Sequence, residues 1–397
     1  MQPDETLALL TQGTTQVISD SELREKLALK RPLRVKLGAD PTSPDLHLGH
    51  SLLLRKLRQF QDQGHQAVLI IGDFTAMIGD PSGRSATRPQ LTHEEVLTNA
   101  ESYREQAFKI LDPARTTIIN NGEWLGVMRF AEIIRLNSQV TLQQMLQRED
   151  FRQRLEQQQP IHAHEIQYPI MQGWDSVIVK ADVELGGNDQ LFNNLVGRDL
   201  QKQQGMSPQV VLLLPILEGL DGAKKMSKSL GNYIGLNESA SEMFGKIMSI
   251  SDDLMARYYV LLLGRHLPQN VPPVEAKKHL GREIVETYHS RAAAENVVRD
   301  WNARFSEKRL SDADLESFWC EPADAVSIVS SVYAEAFSIA KSRSEARRLI
   351  EQGSVQLDGL KVTDPKATLI LKPGQVLRLD KTHAVKIQQT AVPRKEH

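Results

Sequence analysis

Between residues 33 and 62 the sequence spells a strand, a tight loop and a helix with nothing spare between them. Leu33, Val35 and Leu37 alternate with Arg34 and Lys36, the two-residue period of a strand, and the run stops at Gly38 before the turn-rich DPTSPD. Ser43, Pro44 and Asp45 then supply a helix cap, a proline for the first turn and an acid facing the positive end of the helix dipole, which predicts a helix from about 45 to 62. The pattern repeats: Gln66 to Gly72 reads as an apolar strand followed by glycine-rich GDPSGR, Glu94 to Ile110 as a helix, and TTIINN as a short strand. Strands alternating with helices predict a parallel sheet covered by helices, with ligands beyond the carboxyl ends of the strands.

The stretch 124–180 is richer in helix signals, and strand character returns at 181–186 and 210–217, so the sheet is expected to carry a helical insertion. Beyond 231 the composition is helical, and 306–326 turns polar and acidic as a linker would. At 397 residues the chain is too long for one core and suits two or three domains.

With 40% hydrophobic and 25% charged residues, global disorder and fibrous repeats are excluded. One cysteine, Cys320, permits no internal disulfide and no cysteine-anchored zinc or iron-sulfur site. The first residues lack the basic and apolar regions of a secretory signal, and the longest apolar run, Val210 to Leu217, is eight residues, so a cytoplasmic protein with no membrane partner is expected. The net charge of −2 hides an asymmetry. Residues 341–397 carry +6 and the remainder −8, which makes the basic end a candidate polyanion-binding module against the alternative of a solvated basic tail.

His47 and His50 in HLGH are three apart near a helix start, where they share a face and can donate to phosphate oxygens beside the helix dipole. A metal pair is the competing reading, as it is for His162 and His164, but neither pair has a grouped third ligand, and no metal site is expected. His279-Leu280-Gly281-Arg282 nearly repeats HLGH in a helical region without a preceding strand and glycine loop, so it is read as coincidence. Lys225-Met226-Ser227-Lys228-Ser229 follows the last strand signal and is expected in a mobile loop, where two ammonium groups can clamp a triphosphate as charge develops. A solvated basic loop is the alternative for these lysines alone.

HLGH and KMSKS together resemble the two signatures of class I aminoacyl-tRNA synthetases, and LGADPTSPDLHLGH, GDFTAMIGDPSGR, YPIMQGWD and GGNDQLFNN are similar to bacterial tyrosyl-tRNA synthetases from about residue 30 to the C-terminus. The architecture this implies is α/β: a Rossmann-like parallel-sheet catalytic domain with a helical insertion (1–230), an α-helical tRNA (anticodon-side) domain and linker (231–325), and a small C-terminal α+β domain (331–397) resembling the alpha-L RNA-binding module. In that module Arg343, Arg347 and Arg348 stand at helical spacing and would meet RNA phosphates, with turns at Asp358-Gly359 and Pro373-Gly374.

Tyr168, Gln172 and Asp175 lie at i, i+4 and i+7, one stripe of a helix. The resemblance assigns the first two, with Asp80, to the ammonium group of substrate tyrosine, and Asp175 to its phenolic hydroxyl. It assigns Asp189 to the adenylate ribose beside Gly187, Gln190 to the aminoacyl carbonyl region, and Asp40 and Thr42 to the nucleotide side, with His47, His50, Lys225, Met226, Ser227, Lys228 and Ser229 around the phosphates. Many bacterial relatives place a tyrosine where Lys36 stands, so this chain resembles a second subtype, and Lys36 is left with the phenol, Asp73 or Asp80 as its possible partner.

The reaction implied is activation of L-tyrosine by ATP to tyrosyl-adenylate, then transfer to the terminal ribose of tRNA(Tyr). Magnesium would arrive as MgATP, with no tightly bound cofactor. A homodimer through the helical insertion is implied, and no DNA partner. Three other readings compete with this one. A tryptophanyl-tRNA synthetase normally lacks the C-terminal module and YPIMQGWD; a small nucleotidyltransferase has no use for two tRNA-binding domains; a non-enzymatic RNA-binding paralogue would be expected to lose the lysines or histidines.

Overall fold

The computed structural model describes residues 3–80, 92–303 and 315–388. Its chain divides into two compact units, residues 1–288 and 289–397.

The first unit is built on a six-stranded sheet: β1 (Gln16–Ile18), β2 (Arg34–Ala39), β3 (Gln66–Ile71), β4 (Thr116–Asn120), β5 (Val183–Gly187) and β6 (Val210–Leu214), in the order β1-β6-β5-β2-β3-β4. Five strands run parallel and β1 closes one edge antiparallel to β6. The residues of β3 from Ala67 to Ile71 and all of β6 are buried, as expected of strands covered on both faces. The same covering alters the meaning of the alternation in β2. Lys36 does not point to water; it is fully buried, because a parallel sheet between helix layers has no wet face.

The expected helix at 45–62 begins later, at Leu48–Asp62, with His47 rather than Ser43 at its cap. Residues 46–48 are held extended by another segment: Leu48 N–H donates to Ile234 O at 3.0 Å and Leu236 N–H to Leu46 O at 2.8 Å. The insertion expected between β4 and β5 is helical, ending in the long Ala163–Ile178 helix, and the Ala240–Ser249, Asp252–Leu263 and Pro273–Tyr288 helices follow β6. These last three fall in the same compact unit as the sheet, which runs to Tyr288.

In the second unit the Ala325–Phe337 and Arg343–Glu351 helices pack on a five-stranded sheet around Val329, Tyr333, Ala346, Ile350 and Leu377. Asp358 and Gly359, both at positive φ, form the two-residue turn between Gln356–Leu357 and Leu360–Lys361. Part of the stretch expected as linker is structural here. Glu316–Phe318 pairs with Ala384–Ile387, and Ala323–Asp324 pairs with Thr368–Leu369, because their apolar members complete this small core.

Candidate active site

The carboxyl ends of β2, β3, β4 and β5 deliver Asp40, Asp73, Asn121 and the Asn188–Gln190 turn to one end of the first sheet. Asp40 is held in place by two donors, Thr75 Oγ1 and Tyr168 Oη, each at 2.8 Å. Burial pushes its carboxyl up to about 7. Gly72 is required beside it, since a Cβ there would lie 2.1 Å from Asp40 Oδ1. Thr42 N–H closes the turn onto Asp40 O at 2.8 Å.

The two motif histidines form a reciprocal cap. His47 Nδ1 accepts from Gly49 N–H and His50 Nδ1 accepts from His47 N–H, both at 3.2 Å. The rings lie 3.8 Å apart between centres, and Gly49 leaves room for the turn, because a Cβ would be 3.0 Å from the His47 ring. Burial, each other's proximity and the lysines hold His47 neutral down to about 2, and burial and the lysines hold His50 neutral to about 3. A neutral imidazole whose Nδ1 accepts must carry its proton on Nε2. Both rings are therefore fixed Nε2–H donors.

The lysine-bearing segment is pinned at both ends. Met226 is buried and its N–H donates to Leu217 O at 2.9 Å. Asn232, also buried, accepts from Ser227 N–H at 2.8 Å and donates to Lys225 O and Asp221 at 3.2 and 2.8 Å. Ser227 and Ser229 share a hydroxyl contact of 2.9 Å. Lys225 Nζ meets Asp189 Oδ2 at 2.5 Å, while Lys228 Nζ lies 3.6 Å from Asp45 and 5.8 Å from the centre of the Tyr233 ring. Burial lowers the pKa of Lys228 against the pull of Asp45. The following Ile234–Leu236 segment is the one bonded to residues 46–48, so the lysine and histidine motifs are tied by backbone hydrogen bonds.

On the Ala163–Ile178 helix, Tyr168, Gln172 and Asp175 do share one stripe, facing the sheet. Asp175 accepts from Trp124 Nε1 at 2.9 Å and Asn121 Nδ2 at 3.2 Å. Burial nevertheless pushes its carboxyl up to about 7, against the nearby Lys36 cation and these donors. Asp80 accepts from Gln190 Nε2 at 2.7 Å and from Arg148 at 3.2 Å. Asn193 joins the cluster by donating to Gln172 Oε1 at 2.8 Å and Gln190 Oε1 at 3.1 Å. Gly187 keeps Asp189 close; a Cβ there would lie 2.6 Å from Asp189 Oδ1.

Lys36 pairs with neither Asp73 nor Asp80. Its Nζ lies 2.8 Å from Glu184 Oε1 and donates to Ser176 Oγ at 2.7 Å and Gln172 O at 2.9 Å. Asp73 instead accepts from the Phe74 and Gly122 backbone at 2.9 and 2.7 Å. Sequence reasoning also missed Thr75, Asn121, Trp124, Arg148, Asn193 and Asn232. Asn121 stands just past a parallel strand, a position that could have marked it; Arg148 comes from the insertion and carries no local signal.

In the second unit Arg347 and Arg348 are exposed on the Arg343–Glu351 helix, whose start is closed by a Ser342–Glu345 capping box. Arg343 is also exposed, donating to Ser327 Oγ at 2.9 Å and lying 3.4 Å from Asp324.

Comparison with known proteins places this arrangement in a class. The family described as tRNA synthetases class I (W and Y) matches residues 28–315, and the S4 domain matches residues 338–375. The chain is 47% identical over 394 residues to the tyrosine-tRNA ligase of Shewanella oneidensis, covering 97% of this chain and 98% of the relative. It is 49% identical over 398 residues to that of Geobacter metallireducens, covering 96% and 98%. Among solved structures, the fold matches tyrosyl-tRNA synthetase from Archaeoglobus fulgidus with a TM-score of 0.60 at 21% identity, covering 75% of this chain and 100% of that one. The truncated mitochondrial tyrosyl-tRNA synthetase of Coccidioides posadasii gives 0.60 at 24% identity, covering 74% and 91%. The chain belongs to the bacterial tyrosyl-tRNA synthetase family.

Proposed function

We propose that the chain activates L-tyrosine with MgATP to tyrosyl-adenylate and pyrophosphate, then transfers tyrosine to the 3′-terminal ribose of tRNA(Tyr). The observation that supports this reading is a helix cap with two neutral Nε2–H donors, tied by backbone hydrogen bonds to the segment that follows the two lysines, at the same sheet end as an Asp175 held between Trp124 and Asn121. A tyrosine carboxylate oxygen attacks the α-phosphorus; the new P–O bond forms as the bond to pyrophosphate breaks. No general base is needed, because the nucleophile is already ionised, and catalysis rests on position and on donors aimed at the developing phosphoryl charge. His47, His50, Lys225 and Lys228 supply those donors. Asp189 accepts from the ribose once Lys225 leaves it for the phosphates. Asp40, held by Thr75 and Tyr168, lines the nucleotide side with Thr42, and Asp80, Gln172 and Gln190 surround the ammonium and carbonyl of tyrosine. A hydroxyl of the tRNA ribose then attacks the aminoacyl carbonyl and AMP departs.

Arg347 and Arg348, with Arg343 beside them, give the second unit a basic helix for tRNA phosphates. The insertion exposes Val127, Phe130, Ile134 and Leu142, with Phe130 at 77%, a patch suited to burial against a second copy. Among the described residues no helix is long and apolar enough to cross a membrane; the tRNA substrate points to the cytoplasm. Tyrosine-dependent exchange of pyrophosphate into ATP tests the reading. Exchange that requires tyrosine and not tryptophan supports it, and exchange driven equally by tryptophan overturns it.

A further inference from the structure

Lys36 and Glu184 stand directly opposite each other on β2 and β5, so a cation and an anion are paired across the two central strands of the sheet. Their side chains are 0% and 2% exposed and 2.8 Å apart. Ser176 Oγ also donates to Glu184, at 3.2 Å, while Lys36 donates to Ser176 Oγ and Gln172 O. The pair therefore grips the Ala163–Ile178 helix on the turn that carries both Gln172 and Asp175. An ion pair taken wholly out of water is a weak source of stability, and an apolar pair of similar volume often serves a core as well or better. Its placement beneath the two substrate-facing residues gives it a different use.

We infer that Lys36 and Glu184 are a positioning pair that keeps Asp175 ionised and aimed as the acceptor for the phenolic hydroxyl, and so set the selectivity for tyrosine from behind the pocket. The inference rests on the reading of Asp175 as that acceptor. The physical need is clear from the surroundings. Asp175 is fully buried, and its two donors, Trp124 and Asn121, are neutral. Among the described residues, the charged and titratable groups that face it are Lys36 from β2, Glu184 from β5, Asp40 from the loop after β2 and Tyr168 on its own helix. Lys36 is the one cation in this set. Burial favours the protonated acid, which would offer the phenol a donor in place of an acceptor; Lys36 opposes that, and Glu184 tempers Lys36. The same lysine thus orients the helix turn and biases the charge of the residue it carries.

Opposite charge changes must then move the same titration in opposite directions. In the free enzyme, tyrosine kcat/KM should fall as pH drops through the Asp175 transition, because the protonated acid no longer accepts from the phenol. Lys36→Met should move that limb to higher pH, and Glu184→Gln, which keeps shape and removes the anion, should move it to lower pH, each by about one unit. The limb with phenylalanine, which has no hydroxyl to recognise, should stay in place. Pyrophosphate exchange measured from pH 5.5 to 8.5 with both amino acids gives all of these curves, and Glu184→Gln carries the test if Lys36→Met does not fold. Asp175→Asn is the reference. If it narrows the tyrosine-to-phenylalanine ratio while the limb of Glu184→Gln stays fixed or rises, the positioning pair is overturned and the Asp175 reading stands. If Asp175→Asn lowers both substrates equally, the pocket reading fails and the inference falls with it.

Discussion

His47 and His50 cap the Leu48–Asp62 helix reciprocally, each with Nδ1 occupied by a backbone N–H, so both neutral rings carry their proton on Nε2. A donor aimed at charge that develops only in the transition state contributes chiefly to rate. His50→Ala should slow tyrosyl-adenylate formation by about 100-fold or more while changing tyrosine affinity little. Rapid-quench measurement of adenylate formation is the check. A matching rise in tyrosine Kd with an unchanged rate would show that the ring serves ground-state binding only.

The same two rings give a pH signature in stability. Folded, they stay neutral to about 2 and about 3; unfolded, they take up protons below about 6.5. Their contribution is present above the unfolded value and is lost as pH falls toward the folded ones. A His47→Gln/His50→Gln variant lacks this loss. Its stability relative to the parent should therefore rise by about 1.4 kcal/mol per pH unit for each histidine between about pH 6 and 4. Urea unfolding of both proteins at three pH values reads this difference directly, and parallel curves would mean the rings are not held neutral.

Lys228 reaches the site from a segment tied to the histidines through Ile234–Leu236, and burial already weakens its hold on a proton. An incoming triphosphate would give that ammonium a stronger anionic partner than Asp45 at 3.6 Å. Lys228→Ala should depress the rate of adenylate formation strongly and leave tyrosine binding nearly intact. Pre-steady-state kinetics decide it; an unchanged rate would remove Lys228 from the phosphoryl-transfer groups.

Selection of tyrosine over phenylalanine turns on one hydroxyl. Phenylalanine would leave Asp175 buried without that partner, at about 1–3 kcal/mol or more for a charged group. Asp175→Ala should therefore reduce kcat/KM for tyrosine far more than for phenylalanine. Equal losses for the two would make Asp175 a structural support.

What the sequence made legible follows from how locally each feature is encoded. The β2-loop-helix unit, HLGH and KMSKS are legible because each is a run of neighbouring residues, and the Tyr168–Gln172–Asp175 stripe follows from helical spacing alone. The true cap at His47 was masked by Ser43 and Pro44, whose local signal loses to the tertiary bonds from Ile234 and Leu236. Lys36 was ambiguous because its partner Glu184 lies on a strand remote in sequence and adjacent only through the sheet order. Arg148 reaches Asp80 and Asn193 from the insertion, and Asn232 fixes the lysine segment from beyond the motif. Both depend on chain reversals that no periodicity records.

The exposed patch on the insertion makes a prediction about assembly. Phe130, Ile134 and Leu142 are 77%, 52% and 57% exposed. If a second copy covers this surface as proposed, Phe130→Asp would place a charge where water is lost, at a cost that an apolar contact cannot recover. Sedimentation equilibrium should show a dimer for the parent and a shift to monomer for the variant. A parent that is monomeric across micromolar concentrations would refute the assignment of this face.

The last prediction concerns tRNA. Arg347 and Arg348 are exposed on a helix whose other side, through Ala346 and Ile350, is buried in the core of the second unit, so truncating them removes charge without opening that core. Phosphate contacts release counterions on binding, which makes affinity fall with salt in proportion to their number. Arg347→Ala/Arg348→Ala should weaken tRNA binding and lower the salt slope by about one for each lost contact. Pyrophosphate exchange should be unaffected, since the adenylate-forming groups all belong to residues 1–288. Filter binding across salt concentrations, paired with the exchange assay, separates the two effects. Unchanged affinity and slope would show that this helix face does not meet the tRNA backbone, whereas a fall in exchange would show that the two arginines support the catalytic unit itself.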